Sequence, residues 1–97
     1  AALTFRPLGE RVVPGFRRGS FRAESSAACY LDVSGWGMGE VWVNGEYVGS
    51  FWDEEKQQSI LLPEGLLRQD ANSIVVFDLK NHDPAATMRL SDKPVFK

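Results

Sequence analysis

One cysteine and one histidine occur in 97 residues. Cys29 has no second cysteine for an internal disulfide, and Cys29 with His82 is too small a ligand set for a structural zinc. No stretch approaches the roughly eighteen consecutive apolar residues of a membrane-crossing helix, so no membrane partner is expected. Internal repeats and low-complexity segments are missing too. The opening Ala1-Ala2-Leu3-Thr4-Phe5-Arg6 has no charged region followed by an apolar one, and so does not read as a secretory leader. A start on alanine rather than methionine is expected of processing or of excision from a longer chain. A large excess of either charge is also lacking: 13 acidic against 11 basic residues leave a net charge of −2, which argues against nucleic acid as a partner.

What the chain does have suits one compact soluble domain, with 43% hydrophobic, 11% aromatic and 25% charged residues. Its charge is unevenly placed. Residues 1–22 hold five arginines (Arg6, Arg11, Arg17, Arg18, Arg22) and one acid, Glu10, for a local +4, whereas residues 23–97 carry −6. Such an end is expected to be a solvated strand surface, or else to dock on a neighbouring domain through Arg17 and Arg18.

Apolar residues recur with period two. Ser20-Phe21-Arg22-Ala23 and Cys29-Tyr30-Leu31-Asp32-Val33 alternate as half-buried strands do. Val41-Trp42-Val43 and Glu46-Tyr47-Val48-Gly49-Ser50-Phe51-Trp52 flank Asn44-Gly45, the pair favoured by a type I′ hairpin turn, where both central residues need positive φ. Ser59-Ile60-Leu61-Leu62 is a short strand stopped by Pro63. Pro63-Glu64-Gly65-Leu66-Leu67-Arg68 predicts a single helical or 3₁₀ turn. Residues 72–79 are the best central strand, Asn81-His82-Asp83-Pro84 is a turn, and short strands are predicted near residues 88–90 and 95–96. About eight strands and no long helix predict an all-β sandwich or jelly roll.

Residues 32–45, Asp-Val-Ser-Gly-Trp-Gly-Met-Gly-Glu-Val-Trp-Val-Asn-Gly, are the most informative. Gly35, Gly37 and Gly39 build a loop open to conformations barred to other residues. The loop leads into a strand rather than a helix, so it is no phosphate cradle. Trp36 has little local cover in such a loop and must pack on the domain body, on another domain or on a ligand.

In these residues the chain resembles the C-terminal galactose-binding-like jelly roll of glycoside hydrolase family 35 β-galactosidases. That family's segment reads roughly D-x-S-G-W-G-K-G-x-V-W-V-N-G and leads into x-x-L-G-R-Y-W. Strands of the form Q-Q-T-L-Y-x-P and N-x-I-x-V-F-E-L follow, with a closing D-K-P-V-L. Here residues 32–45 are followed by Val48-Gly49-Ser50-Phe51-Trp52, residues 57–63, residues 72–79 and Asp92-Lys93-Pro94-Val95-Phe96. Residues 14–21 look like the family's P-x-F-Y-R-G-T-F entry strand, so the likeness runs in unbroken order from about residue 13 to 96. Met38 departs from the usual Lys, Ser50 from the usual Arg, and Asp53-Glu54-Glu55-Lys56 from a segment resembling N-I-G-P. An interface or ligand that the family handles near Trp36 and Trp52 is therefore expected to be altered.

The resemblance implies a single galactose-binding-like β-sandwich over residues 1–97, a fragment of a longer, multi-domain, retaining β-galactosidase. The implied partners are that enzyme's catalytic (β/α)₈ barrel and neighbouring β domain, with galactose-containing carbohydrate as the alternative. No cofactor and no metal are implied, and the compartment would be secreted, periplasmic or lysosomal. By itself the chain is expected to be non-catalytic. Glycoside hydrolysis with retention needs two carboxyl groups about 5–5.5 Å apart in a cleft, and a barrel needs about 250 residues. Asp53, Glu54 and Glu55 read as a solvated loop, and nothing around His82 suggests an activated nucleophile.

Sugar stacking is the more serious functional alternative. Trp36, Trp42 and Trp52 with Tyr47 and Asn44 supply flat rings and an amide for a pyranose, although core or interface packing is the first reading of such aromatics. Trp36 is the leading ligand platform because a glycine loop presents it, and Trp36, Arg17 and Arg18 are the interface candidates. Cys29 reads as a small buried hydrophobe. Asp70, Asn72 and Asp92 offer oxygens to calcium without a dense loop motif.

Overall fold

A computed structural model describes residues 2–7, 14–81, 83 and 85–97. Nine strands occur among them: β1 (Ala2–Leu3), β2 (Arg6–Pro7), β3 (Gly15–Arg22), β4 (Cys29–Asp32), β5 (Met38–Val43), β6 (Glu46–Trp52), β7 (Ser59–Leu62), β8 (Ala71–Asp78) and β9 (Met88–Ser91). They form two antiparallel sheets, ordered β1-β9-β4-β7 and β2-β3-β8-β5-β6. After β3 the chain changes sheet at every connection except the β5–β6 hairpin, which is the winding of a jelly roll.

The hairpin forms as its residues predict. Asn44 and Gly45 sit at φ 51° and 82°, in the mirror-image turn whose twist matches the strands on either side. Two local expectations are corrected. The segment after Pro63 is a plain turn closed by Leu66 N–H donating to Pro63 O, because Gly65 at φ 88° ends any helical turn. No strand forms at residues 95–96, where Phe96 makes a lone bridge to Gln57. The two-residue β1 and β2 raise the count above eight. His82 and Pro84 of the expected turn, and Arg11 of the basic end, lie outside the described residues.

Period-two alternation delivers the core. Val41 and Val43 of β5, Ile74 and Val76 of β8, and Leu31 and Leu62 of the other sheet are buried between the layers. Gly39 takes an inward place among them for a spatial reason: a Cβ there would collide with the Phe77 carbonyl and the Phe51 ring. Gly35 and Gly37, at φ 84° and 94°, supply the backbone freedom expected of the loop. Alternation also sends two charged residues inward, Arg17 on β3 and Asp78 at the end of β8.

Candidate functional site

Burial divides the candidate residues in two. Trp36, the leading platform from sequence, is 1% exposed and available neither to a sugar nor to another domain. Its Nε1–H donates to the Thr87 carbonyl at 2.8 Å, and Phe5 packs edge-on at 5.1 Å. The Arg17 guanidinium lies 4.9 Å from its ring centroid. The glycine loop folds its tryptophan back under the β8–β9 connection, cover that is distant in sequence and invisible locally.

Arg17 is likewise corrected from interface to interior. Arg17 is 1% and Asp78 0% exposed, and they pair at 2.7 Å. The guanidinium also donates to the Asp83 and Asn81 carbonyls at 2.7 and 3.0 Å, while Asp78 accepts from the Lys80 and Asn81 amides. Two buried charges thus meet with most of their hydrogen-bonding capacity used, the condition under which such burial is tolerated.

Asn44 is withdrawn from the sugar-binding set too. Its Nδ2 donates to Leu66 O at 3.0 Å and Asn72 Oδ1 at 2.9 Å, and its Oδ1 accepts from Ser73 N at 2.9 Å. Asn72, offered for calcium, spends its amide on Asn44 and on the backbone of Arg68 and Asp70.

Trp42, Tyr47, Trp52 and Arg18 remain accessible, all on the outer face of the five-stranded sheet. Strand register sets out that face in rows. Arg6, Arg18, Val75, Trp42 and Tyr47 form one, and Phe16, Phe77, Glu40 and Ser50 the next. Met38 opposite Trp52 forms a third. Phe16 lies 4.7 Å from Phe77 and 6.2 Å from Trp42, and Trp42 lies 5.5 Å from Tyr47 in an edge-on contact. Phe16 is 46%, Tyr47 53% and Trp52 44% exposed, so large apolar side chains lie open to solvent across this face. A sheet face of this composition normally lies against something.

Polar groups punctuate it. The Tyr47 hydroxyl donates to Glu40 Oε1 at 3.1 Å. Partial desolvation, then the hydrogen bond to Glu40, hold the Tyr47 phenol above its usual pKa. Met38 and Ser50, the departures from the family pattern, flank Glu40 on this face and leave its carboxylate without the cations the pattern supplies. At the rim, Asp53 is neutralised by Lys80 Nζ at 3.0 Å. Cys29 is half-buried on the other sheet, where desolvation raises its thiol pKa.

Sequence reasoning missed Phe16, Phe77 and Glu40. Outward parity from Trp42 along one strand would have found Glu40. The two phenylalanines join only through the β3–β8–β5 pairing, which brings together segments far apart in the chain.

A family model described as beta-galactosidase, galactose-binding domain matches residues 14–72. The chain is 31% identical to Beta-galactosidase of Bos taurus over 88% of its own length and 15% of that protein. It is 31% identical to Beta-galactosidase 8 of Oryza sativa subsp. japonica, over 86% of the chain and 13% of the relative. With Beta-galactosidase-1-like protein 2 of Homo sapiens it shares 33% identity, over 75% of the chain and 12% of the relative. The chain therefore spans only 12–15% of the length of these relatives.

Proposed function

Because this chain belongs to the galactose-binding domain family of beta-galactosidases, an accessory domain of glycoside hydrolases, we propose that it is a non-catalytic sandwich packed within a longer enzyme of that kind. Its partners are the catalytic barrel and a neighbouring β domain, and its contact surface is the outer face of the five-stranded sheet. The observation that carries this reading is the exposed Phe16–Phe77–Trp42–Tyr47 cluster with Trp52 beyond it. Phenylalanine and methionine in such a face suit protein packing better than sugar recognition, which favours rings accompanied by hydrogen-bonding groups. The interface moves from Trp36 and Arg17, which are interior, to this face, with Arg18 at its edge.

Carbohydrate on the same face is the second reading, favoured by one feature: Trp42 and Tyr47 stand beside a carboxylate, Glu40, that no cation among the described residues neutralises. Two measurements decide. Analytical ultracentrifugation of the purified chain should show concentration-dependent association that weakens in Trp42→Ala. A chromogenic β-galactoside should not be turned over. A protein monomeric at high concentration, with Trp fluorescence saturably quenched by millimolar galactose or lactose, would reverse the two readings. Turnover lost in Glu40→Gln would refute the non-catalytic assignment.

A further inference from the structure

The arginines of the basic end meet different fates. Arg17 is paired with Asp78 inside the sandwich, and Arg22 is paired with Asp70 at 2.7 Å on the surface. Arg6 and Arg18 have no carboxylate partner among the described residues, and they face one another directly across the β2–β3 pair. Residues so opposed have Cα atoms about 4.5–5.5 Å apart with side chains on one face, and like charges there repel. Both are exposed on the outer side of the sheet, above a hollow of about 570 Å³ lined by Thr4, Phe5, Arg6, Arg18, Gly19, Ser20 and Ser73.

The hollow is held firmly. Gly19 lets the short segment linking β1 to β2 lie close across β3, since a Cβ there would strike the Thr4 carbonyl oxygen. Phe5, next to Arg6, is anchored edge-on against buried Trp36. Ser20 and Ser73 sit directly opposite each other on β3 and β8, adding hydroxyls to that of Thr4. Two guanidinium forks, which only donate, and three hydroxyls, which can donate, surround one shallow space, and no carboxylate lines it.

We propose that this notch is an oxyanion-binding site, in which a carboxylate or sulfate group sits between Arg6 and Arg18. A bound oxyanion turns a repulsive pair into two charge-assisted contacts of the planar kind arginine makes best. Val75 and then Trp42 continue the same row, so Trp42 stands two strands, about 10 Å, from Arg18. An anionic group carried by a saccharide has a ring surface within reach; a free anion uses the notch alone. The notch is at the edge of the sheet, beside the proposed packing face, with which it shares Arg18 and, in its saccharide form, Trp42.

The test is a titration of the chain at low ionic strength, followed by NMR of backbone amides and arginine side chains. Sodium sulfate, galacturonate and neutral galactose are compared at matched chloride. Saturable sulfate shifts are expected at Arg18, Gly19, Ser20 and Ser73, weakened about tenfold or more in Arg18→Gln and in Arg6→Gln. Both substitutions are at exposed positions, so the fold is retained. Galacturonate binding that exceeds sulfate binding and drops in Trp42→Ala supports the site and assigns the oxyanion to a saccharide. Equal binding of the two, indifferent to Trp42→Ala, supports the site and assigns it to a free anion. Absence of saturable shifts, or shifts unchanged in both arginine variants, overturns the proposal.

Discussion

Two aromatic clusters stand at different depths of the same sandwich. Around Trp36, a ring, a guanidinium and a second ring are sealed within the sandwich; the indole N–H and both terminal guanidinium nitrogens are held by backbone carbonyls or by Asp78, and Arg17 Nε alone is left buried without a partner. Around Trp42, four rings lie in contact across the outer sheet face with water on one side. The residue types are nearly the same, yet the first cluster is buried in the core and the second lies open to solvent. What separates them is cover: Asn81, Asp83 and Thr87 close over one, and nothing among the described residues closes over the other.

The sharpest way to break the contrast is at Asp78. Asp78→Ala leaves Arg17 buried and unpaired and should cost about 3–5 kcal/mol. For a domain of this size that lowers Tm by more than about 10 °C in a calorimetric or circular-dichroism melt. Removing both charges in Arg17→Met with Asp78→Leu should cost clearly less than Asp78→Ala alone. Equal losses would mean that packing, and not the stranded charge, dominates the site.

Trp36→Phe comes next. It keeps a ring beside Phe5 and Arg17 but gives up the indole donation to the Thr87 carbonyl and leaves space in the core where the larger ring was, a loss of about 1–3 kcal/mol readable by urea denaturation. In Trp42→Ala the melt should change by only about 1 kcal/mol, the worth of its edge-on ring contacts, while self-association of the chain falls. If Trp42→Ala proves as destabilising as Trp36→Phe and leaves association intact, the outer cluster is structural and the comparison fails.

The smallest effect concerns Tyr47. Desolvation and the bond to Glu40 raise its phenol pKa, so the protonated form is the one favoured in the folded state. Its contribution to stability is present below the usual tyrosine range and is lost as pH rises through the raised value. Glu40→Gln, which removes the negative neighbour, should move the Tyr47 step in an ultraviolet titration downward. A step that stays in place would show that Glu40 does not govern the phenol.

Much of the architecture was legible because it rests on short-range rules. Asn44-Gly45 marked the hairpin, since few other pairs tolerate positive φ twice in succession. The apolar run over residues 72–79 marked a central strand, the place β8 takes between β3 and β5. The candidate site was less legible. Trp36 looked presented because its sequence neighbours are glycines, and Arg17 looked like surface because it is charged. Their true partners, Thr87 and Asp78, lie 51 and 61 residues away and are brought close only by strand pairing and the closing connection.

The residue string by itself determined the all-β character, the hairpin and the family, because alternation, turn chemistry and an ordered set of motifs are local properties of the chain. Only the tertiary structure decided which tryptophan is core and which is surface, which arginine is paired and which faces its like. Those outcomes depend on which sheet face each strand turns outward and on what crosses above it, and both are settled by contacts between residues far apart in sequence.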